Sequence, residues 1–130
     1  ARPWGDELNQ ACRYANVYDE TARKAKPLNW PNYPCEDGQI AAAPVGKYAA
    51  NPFGLFDMLG NVAEWTCSEY DSAYAGGETR CADPKAAGGR RVLRGGAWSD
   101  YPGLMRLAYR FPAAPDYRKF DWGFRLALAP

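Results

Sequence analysis

Two carboxylates, Asp57 and Glu64, stand within residues 53–65, the densest apolar run of the chain. A buried carboxylate is costly unless it is paired or binds a cation. Calcium takes roughly six to eight oxygen ligands, and a short turn with an acid at each end can add main-chain carbonyls from the residues between. The pattern therefore favours a calcium site. The alternative is that Asp57 caps a helix and that Glu64 pairs with an arginine from the basic C-terminal third.

A second pair of oxygen donors, Asn16 and Asp37, lies close to two cysteines. Cys12 comes just before Asn16, and Cys35 comes just before Asp37. If both oxygen donors face one ion, a Cys12–Cys35 disulfide would span the same site. This arrangement favours pairing the cysteines in the order in which they occur along the chain.

All four cysteines are expected to form disulfides. They contain no C-x-x-C pair, so neither a zinc ribbon nor a thioredoxin-like redox site is indicated. Several connectivities are compatible with the sequence, and we prefer the sequential one, with Cys12–Cys35 and Cys67–Cys81. Four buried free thiols are the alternative. Because disulfides persist in oxidising compartments, the cysteines predict a periplasmic or extracellular protein.

The composition removes several classes of function. The chain has 130 residues, no histidine and a formal net charge of +1. Without histidine, its own residues cannot build a Ser-His-Asp triad, a Cys-His dyad or a histidine-ligated iron or zinc site. The balanced charge gives no general attraction to nucleic acid, and no apolar run is long enough for a membrane span.

Charge is nevertheless uneven along the chain. Residues 89–130 carry 8 basic and 3 acidic side chains. We expect the arginines of this segment to form internal ion pairs, and the alternative is an anion-binding face. The arginines concerned are Arg91, Arg94, Arg106, Arg110 and Arg125.

The elements that must position these residues are short. Prolines interrupt residues 1–50, where only 6–14 and 19–26 favour helices. A loop region of this length needs a disulfide or a metal to hold it. The Gly- and Ala-rich residues 70–90 are expected to form an exposed excursion.

The last third of the chain favours strands. Strand-like patterns occur at 91–98, 104–110 and 123–129, separated by loops rich in proline, tyrosine and aspartate. Aromatic rings are expected to supply much of the core. The rings assigned to it are Trp65, Trp98 and Phe124.

Several longer motifs occur in a fixed order. They are PWG at 3–5, AN at 15–16, EDG at 36–38, APVG at 43–46, NPFGLFDMLGNVAEW at 51–65, RVLRGGAW at 91–98, RLAYR at 106–110 and GFR at 123–125. Together they make the chain resemble the formylglycine-generating enzyme family, also called sulfatase-modifying factors, over nearly its whole length. The resemblance implies an α+β, C-type-lectin-like fold. Such a fold has a small twisted antiparallel sheet, a few short helices and long loops fixed by calcium.

The resemblance also implies two structural calcium ions, each bound by side chains and main-chain carbonyls. The first would be held by the side chains of Asn16 and Asp37 and the carbonyls of Val17 and Gln39. The second would be held by the side chains of Asp57 and Glu64 and the carbonyls of Gly60 and Val62. Both sets contain the oxygen donors found above from residue type, so calcium is the expected cofactor.

Activity is a separate question, because a shared fold does not imply shared chemistry. The formylglycine-generating enzymes hold copper between two cysteines shortly after the GG of an RGGS segment. Here residues 99–105 contain no cysteine, and Ala97 replaces the serine after the GG. Ala63 replaces a tryptophan and Asp121 replaces an asparagine. Copper(I) requires thiolates, so we expect no copper and no formylglycine-generating activity. The histidine-ligated iron of the ergothioneine-forming relatives is excluded as well, since the chain has no histidine.

Domains of this family are usually much longer than this chain, and the PWG segment lies near their middle. The resemblance therefore implies that residues 1–130 form a single domain portion, the C-terminal half, without the N-terminal strands. Half of a larger core would expose apolar surface. We expect another polypeptide to complete the fold, either the other half or a larger assembly. Nucleic acid and membrane are not expected as partners.

The function expected from these features is a non-catalytic, calcium-stabilised binding or accessory subunit. Loops 97–104 and 111–122 would form its recognition surface, because aromatic residues dominate binding hot spots. A sharper version is a diversified variable protein of a retroelement, which shares the fold. The alternative is an oxidase or sulfatase-modifying enzyme with altered chemistry. The candidate surface or pocket residues are Asp100, Tyr101, Arg106, Tyr117, Phe120 and Asp121.

Overall fold

The computed structural model describes residues 2–83 and 88–128. Its helical segments are a 3-10 turn at Leu8–Gln10, α1 at Ala11–Tyr14, α2 at Glu20–Ala25 and a second 3-10 turn at Gly77–Thr79. Its strands are β1 at Ala63–Glu69, β2 at Arg91–Arg94, β3 at Phe111–Ala113 and β4 at Trp122–Gly123. A few short helices and one small sheet make this an α+β fold, as predicted.

Helix α2 begins at a capping residue. Asp19 is fully buried, and its Oδ1 accepts a hydrogen bond of 2.9 Å from the backbone N–H of Ala22. Basic side chains occupy the last turn, where they complement the helix dipole. The helix predicted at 19–26 is therefore confirmed. Of the helix predicted at 6–14, the structure contains the first 3-10 turn and α1.

The four strands form one sheet in the order β3-β2-β1-β4. The pairs β1–β2 and β2–β3 are antiparallel, with Trp65 opposite Leu93 in the first pair. Strand β4 runs parallel to β1, with Ala63 opposite Trp122. The expectation of a purely antiparallel sheet is therefore wrong at this edge. The long connection between β1 and β4 allows the chain to return in the same direction, as parallel pairing requires.

The strand patterns located β2 well and the other two strands poorly. Residues 104–110 form turns, and the strand lies just beyond them as β3. Pro102 and Gly103 stand at the start of these turns, where both residue types are favoured. Within 123–129, Gly123 is the one residue that the described part of the chain places in a strand, and residue 129 lies outside that part.

Buried apolar side chains form three clusters. The largest joins the N-terminal loops to Leu59 and Met105. The second lies on the sheet around Leu93. The third packs Tyr18 of the loop before α2 against Trp98 after β2. The clusters therefore connect the loop half of the molecule to the sheet half.

The core predictions were partly correct. Trp98 is 3% exposed and Trp65 is half-buried, but Phe124 is 72% exposed. The prediction that Phe124 lies in the core is wrong. Phe124 is exposed because it follows the last paired residue of β4, an edge strand beyond which no described strand lies. The excursion at 70–90 is largely exposed, as expected, although residues 84–87 lie outside the described part of the chain. In the described ranges, no helix is long and apolar enough to cross a membrane.

Candidate functional site

Two disulfides hold the loops that carry candidate ligands. Cys12 is bonded to Cys35, and Cys67 to Cys81, which is the sequential connectivity preferred from the sequence. The first bond ties α1 to the loop that leads into Asp37. The second closes the excursion after β1. No cysteine of the chain is left as a free thiol.

Asn16 anchors the first predicted calcium set. It is buried, and its Nδ2 donates to the carbonyl of Ala41 at 2.8 Å and to Oδ1 of Asn61 at 3.1 Å. Both of these hydrogen bonds use the nitrogen, so Oδ1 is the atom suited to a cation. The neighbouring Val17, which would offer its carbonyl, is fully buried.

Asp37 is the acid of the first set. Its carboxylate accepts hydrogen bonds of 2.7 Å from the Tyr48 hydroxyl and 2.7 Å from the backbone N–H of Gln39. Burial raises the pKa of the Asp37 carboxyl, although these two hydrogen bonds act in the opposite direction. In the described part of the chain, no lysine or arginine forms a salt bridge with this carboxylate. A bound cation would therefore stabilise its charged form.

The second predicted set shows both an orphaned oxygen and an ion pair. Asp57 Oδ2 accepts 2.7 Å from the N–H of Gly46, whereas its Oδ1 is buried without a partner among the described residues. Both Glu64 oxygens are bonded by Arg125 at 2.6 Å. The same guanidinium also bonds the carbonyls of Phe56 and Asp57. Glu64 thus forms the arginine pair considered as an alternative, but Asp57 caps no helix of the described chain.

The two ligand loops touch at Gly60. A Cβ on Gly60 would lie 2.3 Å from the carbonyl oxygen of Asn16, and the N–H of Asn61 bonds that oxygen at 2.8 Å. Gly60 also has a φ of 82°, which favours glycine. Any side chain at this position would separate the two loops, so their close contact depends on glycine.

Within the described residues, no three Asp, Glu or Cys side chains converge as a metal-binding cluster. Each predicted set supplies two oxygen-bearing side chains, and the remaining ligands would have to be main-chain carbonyls. Calcium accepts such carbonyls readily. The donor chemistry of the first set therefore fits calcium better than it fits a softer metal. In the second set Arg125 occupies both oxygens of Glu64, so calcium would have to displace this guanidinium to use them.

The ion pairs expected for the basic C-terminal segment form at three of its five named arginines, Arg94, Arg110 and Arg125, whereas Arg91 bonds the carbonyl of Gly89. Arg94 and Arg110 both bond to Glu78, whose side chain is 5% exposed. Arg106 instead lies with its guanidinium 5.9 Å from the ring centroid of Tyr109. The shared Glu78 fastens the excursion after β1 to the edge of the sheet.

A cavity of about 180 Å³ lies between the sheet and the loops that follow β2 and precede β4. Apolar side chains from both strands and loops form most of its wall; they include Leu93, Leu104, Phe111 and Trp122. Four polar side chains also line it, namely Arg94, Asp100, Tyr109 and Lys119. Asp100 is the one member of the predicted candidate surface that lines this cavity.

Asp100 is the acidic group of the cavity. Its Oδ2 accepts a hydrogen bond of 2.9 Å from the N–H of Ala97, and its Oδ1 has no hydrogen bond within the described chain. Burial raises the pKa of the Asp100 carboxyl. The charge of Asp121 acts in the same direction, whereas the Ala97 hydrogen bond and the charge of Lys119 oppose it.

Tyr109 and Lys119 are two further polar groups of the cavity, and the sequence patterns did not single them out. Burial raises the pKa of the Tyr109 hydroxyl. Lys119 Nζ lies 5.2 Å from the ring centroid of Trp122 and has no ion pair among the described residues. The aromatic richness of loop 111–122 was the one signal that pointed toward this region.

The remaining candidate residues do not form one surface. Tyr117 is 55% exposed and packs on Trp122, and Phe120 is 78% exposed and packs on Trp98. Tyr101 is half-buried. None of these three side chains lines the cavity at Asp100, so the candidate residues are not united in a single patch.

Asp121 is buried and lies behind the cavity. Ser99 Oγ donates 2.7 Å to Asp121 Oδ2, while Oδ1 is buried with no partner among the described residues. The Asp121 carbonyl accepts a hydrogen bond from the N–H of Ala63. This pair therefore fixes the start of β4 beside β1, and it acts on Asp100 through its charge.

Comparisons with known proteins identify relatives over the whole chain. Residues 2–130 match the family described as "Sulfatase-modifying factor enzyme 1-like domain". The chain is 35% identical over 130 residues to the formylglycine-generating enzyme of Streptomyces coelicolor. The aligned region covers 95% of this chain and 39% of that protein. It is 37% identical over 94 residues to hercynine oxygenase of Mycolicibacterium smegmatis, covering 65% and 22%. The chain thus spans well under half the length of these relatives.

Solved structures share the fold. PvdO from Pseudomonas aeruginosa is similar with a TM-score of 0.65 and 28% identity, covering 88% of this chain and 38% of that chain. Treponema denticola variable protein 1 is similar with a TM-score of 0.58 and 22% identity, covering 88% and 36%. At 22% identity, the similarity to the Treponema denticola protein shows a shared fold and nothing more. The fold predicted from the motifs is confirmed by these comparisons.

Proposed function

Because the chain belongs to the family of sulfatase-modifying factor enzyme 1-like domains, we propose that it is a non-catalytic binding or accessory domain of that family. Its binding site would be the cavity at Asp100, Tyr109 and Lys119. The observation that carries the proposal is the set of polar groups around the cavity, which comprises a carboxyl, a phenol, an ammonium and a guanidinium group but no thiol. An alternative reading is an oxidase with altered chemistry.

Copper does not fit the residues present. All four cysteines are in disulfides. In segment 99–105, which follows the GG pair, the side chains that could bind a metal in place of two cysteines are Asp100 and Met105. The two side chains meet at Gly96, where an added Cβ would lie 2.5 Å from Met105 Sδ and 3.3 Å from Asp100 Oδ2. A carboxylate and a thioether do not replace two thiolates for copper(I). The hypothesis that the chain is a diversified variable protein of a retroelement is supported by the shared fold alone, so it is not proposed.

The activity assay separates the two readings. The chain is incubated with copper, reductant and a cysteine-containing peptide, and peptide oxidation is followed by mass spectrometry. We expect no turnover above a copper-only control. Turnover above that control would overturn the non-catalytic proposal in favour of the oxidase.

The cavity is tested by filling it. Ring-sized fragments are screened by ligand-observed NMR against the unaltered chain and against Ala63→Trp, which places an indole in the cavity wall. Ala108→Trp, at an exposed position, is the matched control. We expect fragment binding to disappear in Ala63→Trp alone, with both variants showing a cooperative melting transition. Equal fragment binding to both variants would show that the fragments bind outside this cavity.

Calcium is proposed as the structural cofactor. One ion would be held by the side chains of Asn16 and Asp37 with the carbonyls of Val17 and Gln39. A second would be held by the side chains of Asp57 and Glu64 with the carbonyls of Gly60 and Val62, and binding there would displace Arg125 from Glu64. The buried, unpartnered Oδ1 of Asp57 and the raised pKa of Asp37 support this assignment. Calcium would fix the loops and supply no redox chemistry, because it has a single stable oxidation state.

Chelation tests the cofactor. A ligand present at about one hundred times its dissociation constant adds about 2.7 kcal/mol to folded-state stability. We therefore expect a strong chelator to lower the melting temperature, and excess calcium but not magnesium to restore it. Asp57→Asn should reduce the response. An unchanged melting curve, with no ion found by elemental analysis, would contradict the assignment.

An extracytoplasmic location and a polypeptide partner belong to the same proposal. The two disulfides support an oxidising compartment. Exposed apolar side chains around Arg125, among them Val45, Phe124 and Leu126, support a partner that covers this face. Native mass spectrometry of material isolated from its source would reveal a co-purifying polypeptide, and a lone monomer that stays soluble would contradict the partner.

A further inference from the structure

The cavity at Asp100 contains two opposite charges that do not pair. Asp100 Oδ1 and Lys119 Nζ both lack an ionic partner in the described part of the chain. Arg94, the other cation of the wall, is already bonded to Glu78 and to the carbonyl of Leu107. The cavity therefore offers one free negative and one free positive group.

Opposite charges within one small site often form a salt bridge, and here the half-buried Asp100 is the group that gains most from a partner, because Lys119 is exposed to water. Asp100 and Lys119 interact electrostatically, since the lysine charge lowers the pKa of Asp100, but no N–O contact within 4.0 Å joins them. The space between them is the cavity itself. A ligand with one cationic and one anionic end would satisfy both groups at once.

A ligand with a single charge fits less well. A simple cation would meet Asp100 but would leave Lys119 unpaired at the same site. A simple anion would meet Lys119 but would approach the buried carboxylate of Asp100. Each forms one of the two charge-assisted hydrogen bonds that a zwitterion would form here, so it binds more weakly.

Size and wall chemistry limit the ligand further. The volume is about 180 Å³, and an engineered cavity of about 150 Å³ holds one benzene molecule. The walls at Leu93, Leu104, Phe111 and Trp122 are apolar. The ligand therefore carries one ring or one branched aliphatic group, and the Tyr109 hydroxyl offers it a third polar contact.

We propose that the cavity binds a small zwitterion of the class of free α-amino acids with one apolar side chain. The ammonium group of the ligand meets Asp100, and its carboxylate meets Lys119. The apolar side chain lies between Leu93 and Trp122. This assignment rests on the proposed binding function and names the ligand class that the same site takes.

Three related probes test the two charged ends separately. L-phenylalanine carries both charges, phenethylamine lacks the carboxylate, and 3-phenylpropanoate lacks the ammonium group. Binding of each to the full chain is measured by isothermal titration calorimetry. We expect each single-charge probe to bind at least about tenfold more weakly than L-phenylalanine, because each loses one charged hydrogen bond.

Variants assign the ends to residues. Asp100→Asn should reduce L-phenylalanine binding to the level of 3-phenylpropanoate and should not weaken binding of 3-phenylpropanoate itself. Lys119→Gln should reduce L-phenylalanine binding to the level of phenethylamine. Arg118→Gln removes a neighbouring exposed charge outside the cavity lining and should leave all three affinities unchanged.

The outcomes distinguish this proposal from the one it rests on. If the three probes bind equally, or if the variants weaken all of them alike, the zwitterion assignment is wrong. If none of the probes binds while uncharged ring-sized fragments still bind and are blocked by Ala63→Trp, the binding function stands and the ligand class fails. If no fragment binds the cavity at all, both proposals fail.

Discussion

The loop network around Asn61 and the cavity at Asp100 use the same kinds of side chain in opposite ways. Asn61 Oδ1 accepts from the N–H of Ala43 and from Asn16, and its Nδ2 donates to the Ala43 carbonyl. At Asp100, one carboxylate oxygen is bonded and the other has no partner in the described chain.

Asp19 resembles Asn61 in this respect. It is fully buried, with one oxygen bonded to the N–H of Ala22 and the other to the N–H of Asp37 at 2.7 Å. Buried polar groups are normally satisfied, so unsatisfied groups require an explanation. Asp19 and Asp100 are the same residue type and differ in the number of their partners, so residue type alone does not distinguish a structural acid from a candidate binding acid. Four substitutions test this contrast.

The largest effect is expected for Asn61→Ala. The substitution removes three side-chain hydrogen bonds from a buried position and places a Cβ-bearing apolar residue at a φ of 64°. We expect the free energy of unfolding to fall by about 4 kcal/mol, measured by chemical denaturation. Asn61→Gly keeps the backbone preference and should lose about 1 kcal/mol less. Equal losses would mean that the backbone conformation contributes nothing.

Asp19→Ala should have the next largest effect. It removes the cap of α2 and the acceptor for the N–H of Asp37, and we expect a loss of about 3 kcal/mol. Asp19→Asn retains one suitable oxygen and should lose less. Asp100→Ala is the matched cavity variant, and the contrast between the two regions fails if it destabilises the chain as much as Asp19→Ala.

Tyr33→Phe should stabilise the protein. The Tyr33 hydroxyl is buried with no partner in the described chain, and burial raises the pKa of Tyr33 from 10.0 to about 12. Removing the hydroxyl should add about 1 kcal/mol. Because the folded state holds the phenol proton more tightly, wild-type stability should fall as pH rises from about 10 to about 12. The variant should lack that part of the fall, and a destabilised variant would show that the hydroxyl has a partner.

Asp100→Asn should show the smallest effect. Burial raises the folded-state pKa of Asp100 above its usual 3.8, so ionisation is harder in the folded than in the unfolded chain. This contribution is absent below pH 3.8 and reduces stability as pH rises through the folded-state pKa. The asparagine variant should therefore be slightly more stable than wild type at pH 7 and equal to it at pH 3. A variant that is less stable at pH 7 would indicate that the carboxylate is structural.

Local motifs and residue chemistry predicted much of the framework. The helix at 19–26, the sequential disulfides, the burial of Trp98 and the family fold all follow from residues close in sequence or from ordered motifs. Strand positions were harder. Residues 104–110 are rich in apolar side chains and were predicted to form a strand, but their position after Pro102 and Gly103 favours turns. Phe111–Ala113 pairs with β2 instead.

The cavity was harder to predict than the ligand loops. Asp57 and Glu64 stand out because charge interrupts an apolar run, but Tyr109 and Lys119 lie in polar, aromatic loops where neither is unusual. Their relevance depends on β4 pairing with β1, which brings Trp122 beside Ala63. That contact joins residues far apart in sequence, so no local pattern encodes it.

The brevity of β4 has a consequence for motion. Its pairing with β1 involves two residues, and Trp122 forms part of the cavity wall. Segments held by few hydrogen bonds open locally without unfolding the whole protein. Amide hydrogen exchange at Ala63 should therefore be faster than at the centre of the β1–β2 pair, and a molecule seated against Trp122 should slow it. Local opening of β4 would then control how fast a molecule enters and leaves the cavity.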